Sequence, residues 1–159
     1  PVTALEILTM FVTAGTLPPW VLVASLPYAL LVTTVLMGKH VDKLEADAAK
    51  GIRTLPVILG RERALFLTQQ LLVGFFAFVL CLVLTGTLSV WTLLVFLALP
   101  RLREVLKVLS QPKPAAPPPG YPLWPLWYVA WCFLATRRAG ALFVVGLLLD
   151  AIIPARLPT

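Results

Sequence analysis

Long apolar runs, separated by short polar stretches, dominate the sequence. The runs Leu17–Gly38 and Ala64–Pro100 contain no charged residue. A helix needs roughly 20 apolar residues to cross the hydrocarbon core of a bilayer, so each run is long enough for at least one crossing. The pattern predicts an all-α fold: a polytopic transmembrane bundle of about four to five membrane helices, with interfacial helices beside them.

The same pattern divides one membrane domain, residues 1–159, into successive segments. A proline-rich connector, which can be neither helix nor sheet, covers 111–121. Residues 122–136 hold three of the five tryptophans, a density typical of an interfacial helix. The remaining predicted segments are a partial helix over 3–14, membrane helices over 20–38, 64–85 and 139–153, a polar loop over 39–63, and a membrane helix with a cytoplasmic extension over 88–110.

Composition and charge support a membrane protein and exclude several other classes. Hydrophobic residues make up 60% of the chain and charged residues 13%, against about 45–50% and about 25% in soluble domains. The net charge of +6 does not require nucleic acid, because the basic residues cluster between apolar runs, as the positive-inside rule predicts for cytoplasmic loops. Cys81 and Cys132 have no CxxC partner and are predicted to be packing residues.

The segment Gly38–Gly60 concentrates the polar chemistry of the chain. It holds three of the seven acids, the one histidine and four basic residues. Carboxylates can bind Mg²⁺ together with the phosphates of a ligand, and Lys50 and Arg53 follow Asp47 at positions suited to phosphate oxygens. Asp42 and Asp47 are five residues apart, which does not place them on one helix face. From spacing alone, a solvated loop with internal ion pairs is the more ordinary interpretation.

Residues 47–60, DAAKGIRTLPVILG, resemble the second aspartate-rich loop of the UbiA superfamily of intramembrane prenyltransferases. The similarity is strong over residues 18–60, and the short stretches 131–134 and 138–143 resemble the approach to the family's ninth helix. One position departs from the family pattern. Lys43 stands four residues before Asp47, where the family has its first aspartate, and the nearest acid, Asp42, is turned by about 100° on a helix.

The resemblance implies a function and a set of site residues. The chain would be the C-terminal half of a prenyltransferase, from the fifth helix onward, with a first aspartate-rich loop upstream of Pro1. The enzyme would use Mg²⁺ to transfer a prenyl group from a prenyl diphosphate to an aromatic, quinone-precursor-like acceptor or another lipid. The implied metal ligands are Asp42 and Asp47, the implied diphosphate contacts are His40, Lys43, Lys50 and Arg53, and no separate catalytic residue is implied.

The resemblance also implies a multi-pass protein of the cell membrane, with the loop 39–63 on the cytoplasmic side and membrane lipids around it. Lys43 keeps an alternative open: a non-catalytic UbiA-like subunit that packs with other membrane subunits in a larger complex. A transporter is a third hypothesis. The lack of acids within the spans 20–38 and 64–85 disfavours it, because ion coupling uses such groups.

Overall fold

The computed structural model describes Gly15 and residues 19–157. Every regular element in that part of the chain is helical. The predicted partial helix over 3–14 lies outside the described residues. The elements are α1 (Pro19–Asp42), α2 (Leu44–Ala49), α3 (Leu55–Leu59), α4 (Arg61–Leu84), a 3₁₀ helix (Val90–Ala98) that continues directly into α5 (Leu99–Leu109), and α6 (Tyr128–Ile152).

Four long segments form a bundle around one apolar core. Helix α1 packs between α4 and α6, and the 3₁₀ helix packs against both α6 and α4. Leu31, Leu72 and Val95, from three of these segments, are completely buried. Phe75 of α4 meets Phe143 of α6 edge to face across the core, with ring centroids 6.0 Å apart. The bundle has a loop end, formed by residues 39–63 and 110–127, and a turn end, formed by residues 85–89 and 153–157.

Two of the described helices, Arg61–Leu84 and Tyr128–Ile152, are long and apolar enough to cross a membrane. Much of their surface stays exposed: within their most apolar stretches 39% and 33% is buried inside the molecule. Apolar side chains on the outside of a helical bundle are what a lipid environment accommodates. The predicted all-α membrane fold is confirmed, while the number of membrane crossings stays a prediction.

Several predicted boundaries shift in the structure. Helix α1 continues past the predicted end at residue 38 through His40 to Asp42, and the polar loop contains the short helices α2 and α3. The predicted helix over 64–85 begins earlier, at Arg61. The predicted helix over 88–110 is a 3₁₀ helix followed by α5.

The prediction of two separate helices over 122–136 and 139–153 was wrong. Residues 122–127 are not helical, and a single helix then runs from Tyr128 to Ile152. The sequence placed a boundary at Arg137 and Arg138 because charges usually end a membrane span. In the structure both arginines are exposed on the outer face of α6, so the helix continues past them while its other face, which includes Ala139, stays packed in the bundle.

Close backbone contact between α6 and the 3₁₀ helix depends on Gly146. A Cβ atom at this position would lie 2.7 Å from the Cα of Thr92 and 2.7 Å from the carbonyl oxygen of Trp91. Both of these are backbone atoms, which cannot rotate away as a side chain could. Small residues at such contacts let helices approach closely enough for backbone packing.

We expect Gly146→Ala to destabilise the bundle by about 1–3 kcal/mol, the usual cost of overpacking a close contact. The matched control is Gly74→Ala, because a Cβ atom at this helical glycine meets nothing within 4 Å. Replacing glycine by alanine inside a helix otherwise stabilises it by up to about 1 kcal/mol. Thermal unfolding in detergent should therefore show a lower Tm for Gly146→Ala only. Equal Tm values for the two variants would contradict the packing argument.

Candidate functional site at the loop end of the bundle

Two glycines set the path of the polar loop between α1 and α4. Gly51 and Gly60 have φ angles of +69° and +81°, in a region that residues with a Cβ atom rarely adopt. Gly51 ends α2, and the Ile52 N–H returns to the carbonyl of Asp47 at 2.9 Å. The glycines of the motif therefore serve the turns that hold the loop against the bundle.

Asp47 contacts His40 across this loop. Its Oδ2 lies 3.4 Å from Nδ1 of His40, and the two side chains are 14% and 37% exposed. At this separation the contact is long for a hydrogen bond. The Asp47 carboxylate therefore retains lone pairs that can bind another ligand.

Asp42 binds the first residues of α6. Its carboxylate accepts hydrogen bonds from the backbone N–H groups of Trp127 at 2.9 Å, Tyr128 at 3.1 Å and Val129 at 2.9 Å. The Asp42 side chain is 0% exposed. The first N–H groups of a helix lack partners within the helix and carry partial positive charge. The buried carboxylate satisfies three of these donors and benefits from that charge.

The connector between α5 and α6 supplies a cation to the same carboxylate. The Nζ of Lys113 lies 3.9 Å from Oδ1 of Asp42, donates to the carbonyl of Pro125 and stands 4.8 Å from the centroid of the Trp124 ring. Burial, followed by the charge of Asp42, raises the pKa of Tyr121 above its ordinary value. The Tyr121 hydroxyl therefore keeps its proton and donates to the Leu126 carbonyl at 2.6 Å.

The structure does not bring the two predicted metal ligands together. His40 and Asp42 are two residues apart on α1, so their side chains point about 200° apart around the helix axis. Asp47 contacts the His40 side, whereas Asp42 faces α6. Among the described residues, no group of three or more His, Cys, Asp or Glu side chains could hold a metal ion.

Asp47 is suited to binding a Mg²⁺ ion, whereas Asp42 is not. The Asp42 oxygens are buried and already accept three N–H groups, so the structure gives them a different role. Asp47 has free acceptor capacity, and Mg²⁺ in proteins is often bound by one or two carboxylates plus phosphate oxygens. Glu45, the third acid of the loop, forms an ion pair with Arg61.

The other three predicted diphosphate contacts belong to the same loop as Asp47 and lie within six residues of it in the chain. Lys43, Lys50 and Arg53 are all exposed, and none of them forms an ion pair with another described residue. They are therefore free to meet an anionic ligand. A cavity of about 560 Å³ also opens at the loop end, between α4, α5 and α6. None of the six predicted site residues lines it.

Sequence reasoning missed the structural role of Asp42 and the contribution of Lys113. The usual helix cap is the residue directly before the helix, but Asp42 precedes its first α6 partner, Trp127, by 85 residues. No local pattern could have indicated this pairing. The one available signal was the lysine within the proline-rich connector, which the structure places beside Asp42.

Comparison with known proteins gives one family match and one similar relative. The model of the UbiA prenyltransferase family matches residues 3–121. A 1,4-dihydroxy-2-naphthoate octaprenyltransferase of Bacillus subtilis (strain 168) is 30% identical over 87 residues, which are 55% of this chain and 28% of that protein. The chain thus spans a little over a quarter of the length of this curated relative. No solved structure matches the chain.

We expect Asp42→Asn to destabilise the protein by about 2–3 kcal/mol, because hydrogen bonds to a charged acceptor are lost in a buried site. Asp47→Asn makes the same change of charge in the loop and should cost less than about 1 kcal/mol, since its one contact is long. Thermal unfolding checks the difference. Hydrogen exchange supplies a local readout, with faster exchange at Trp127–Val129 in Asp42→Asn only. Equal effects of both variants would contradict the anchoring role.

Proposed function

Since this chain belongs to the UbiA prenyltransferase family, we propose that it forms part of an intramembrane enzyme that transfers a prenyl group from a prenyl diphosphate. The observation that carries the proposal is the family match over residues 3–121. This match includes the loop in which Asp47 lies among exposed cations. The relative's name specifies an octaprenyl group and a dihydroxynaphthoate. That name supports an aromatic, quinone-precursor-like acceptor, with another lipid acceptor as the second choice.

The proposed reaction breaks the bond between the allylic carbon of the prenyl group and its diphosphate oxygen. The same carbon then bonds to the acceptor, which releases a proton, and diphosphate leaves. The developing charge on the leaving group needs cations that are already in place. Lys50 and Arg53 would bind the diphosphate oxygens, and Lys43 and His40 would add positive charge at the rim of the loop.

Mg²⁺ belongs to this proposal through Asp47. When bound, the ion would neutralise charge on the leaving diphosphate. Asp47 would hold it together with phosphate oxygens, because the Asp42 carboxylate is occupied by α6. In this proposal Asp42 acts by positioning, since it holds the end of α1, where His40 lies, against α6.

The membrane placement of the site follows the distribution of charge. The loop end carries five cations, which by the positive-inside rule supports a cytoplasmic position: Lys39, Lys43, Lys50, Arg53 and Arg61. A multi-pass arrangement would keep the prenyl chain beside apolar helices, with the diphosphate in the aqueous layer. An apolar surrounding also protects a reactive allylic cation from water.

One observation favours the alternative function, a non-catalytic subunit. Of the two implied metal ligands, the structure leaves only Asp47 with free acceptor capacity, because Asp42 is bound to α6. A member of the family that had lost catalysis would keep the anchor at Asp42 and would not need Asp47. The substitution of Asp47 therefore separates the two functions.

We expect Asp47→Asn in the full-length protein to lower prenyl transfer about 10²–10³-fold, the usual cost of losing one charge-stabilising group at a reacting centre. The Mg²⁺ concentration for half-maximal rate should rise as well. The assay measures incorporation of a labelled prenyl group in membranes over a range of Mg²⁺ concentrations.

The control for this experiment is Glu62→Gln, which removes an exposed acid at the loop end that has no partner among the described residues. Its rate and Mg²⁺ dependence should match the parent protein. Transfer that is unchanged in Asp47→Asn would contradict the site assignment. A parent protein with no transfer at any Mg²⁺ concentration would favour the non-catalytic subunit.

We expect the double variant Lys50→Gln/Arg53→Gln to raise KM for the prenyl diphosphate about tenfold or more, because charge-assisted hydrogen bonds to phosphate are among the strongest available. The matched control is Arg103→Gln/Lys107→Gln, which removes two exposed cations from α5. Steady-state kinetics with varied prenyl diphosphate measures the effect. An equal rise of KM in the control would indicate that the cations act only through general surface charge.

A further inference from the structure

Helix α6 carries two adjacent arginines in its interior. Arg137 lies nine residues after Tyr128, about 14 Å along the axis at 1.5 Å per residue. The helix containing Arg137 and Arg138 is one of the two described helices that are long and apolar enough to cross a membrane. An arginine near the middle of such a span is costly unless a partner compensates its charge.

A third arginine lies at the same depth on the neighbouring helix. Arg101 precedes the end of α5, Leu109, by eight residues, about 12 Å along the axis. The end of α5 lies beside the start of α6, because the Tyr128 hydroxyl donates to the Gln111 carbonyl at 3.0 Å. Together the two helices form a cavity of about 440 Å³, here called the arginine cavity, lined by Arg101, Leu134, Arg137, Arg138, Ala141 and Leu142.

The arginine cavity has unbalanced positive charge. Arg101 forms an ion pair with Glu104, while Arg137 and Arg138 have no acidic partner among the described residues. No acid lines the cavity. Two guanidinium groups are therefore available to an anion, and their planar arrays of donors suit the oxygens of phosphate in particular.

An apolar strip continues from this cavity toward the turn end. Ala141, Val145 and Leu148 follow Arg138 at intervals of three, seven and ten residues, so they share one face of α6. All three are exposed, Val145 by 44% and Leu148 by 60%. The strip is about 15 Å long at 1.5 Å per residue. A cationic site at one end of an apolar strip is complementary to an amphiphile that has an anionic head and an apolar tail.

We propose that the arginine cavity binds the phosphate group of an amphiphilic phosphate ester, whose apolar tail lies along Ala141, Val145 and Leu148. The site is distinct from the loop around Asp47, because it lies more than two helical turns along α6 from the loop end. The phosphate ester has two possible sources, a membrane phospholipid and a prenyl phosphate. Both carry the same chemistry, a phosphate on an apolar chain.

The experiment measures binding to the purified full-length protein in a neutral detergent. The probes are a short-chain phosphatidic acid and a prenyl monophosphate, and the counterparts without phosphate are the matching diacylglycerol and the prenyl alcohol. The double variant is Arg137→Gln/Arg138→Gln. The control is Arg103→Gln/Lys107→Gln, which removes the same charge from exposed positions on α5 outside the cavity.

The parent protein should bind at least one phosphate probe saturably. The double variant should bind it about tenfold or more weakly, since it loses charge-assisted hydrogen bonds to the phosphate. The control should bind as the parent does. Preference for phosphatidic acid would identify a membrane lipid as the source, and preference for the prenyl monophosphate would identify a prenyl phosphate.

Three results would overturn the proposal: no saturable binding to the parent, parent-like affinity in the double variant, or equal weakening in the control. If the double variant fails to give a single gel-filtration peak, Ala141→Trp replaces it. This substitution fills the cavity from an exposed position and leaves every charge in place. Weaker binding in Ala141→Trp would support the site, and parent-like affinity would overturn it.

Discussion

The buried carboxylate of Asp42 is the contact on which the loop end of this bundle depends. It joins the last residue of α1 to the first turn of α6 through three N–H groups. Lys113 adds a cation from the connector. A fully buried charge is tolerated only where hydrogen bonds and an opposite charge replace the lost water. The helix terminus and Lys113 meet that need together, so three segments far apart in the sequence are held at one point.

This anchoring contact constrains the chemistry of the polar loop. The end of α1 places His40 and Asp42 on nearly opposite sides of the helix, so the first faces the loop and the second faces α6. Of the two implied metal ligands, Asp47 is consequently the one that keeps acceptor capacity. Lys43 stands where the family has an aspartate, and the neighbouring acid, Asp42, binds the start of α6. Asp42 therefore serves the packing of the bundle.

Cationic side chains lie at two depths, at the loop end and midway along α6. Their surroundings differ, and so does their need for an anionic partner. At the loop end, Lys50 and Arg53 are exposed, so water can solvate them when no ligand is bound. Within α6, Arg137 and Arg138 lie among apolar positions of a helix suited to lipid. The second group has the greater need for an anionic partner, because the surroundings cannot replace one.

The sequence by itself determined the fold class, the approximate positions of α1 and α4, and the family. Uncharged runs predicted α4 to within three residues, and the stretch 47–60 identified the loop, because both signals are local. Only the tertiary structure decided which side each polar residue faces. The partners of Asp42 lie 85 residues and more away, and the exposed position of Arg137 and Arg138 depends on which face of α6 packs against α1 and the 3₁₀ helix. Hydrophobic pattern indicates where a helix can form, but the function of a charge on it depends on neighbours brought there by folding.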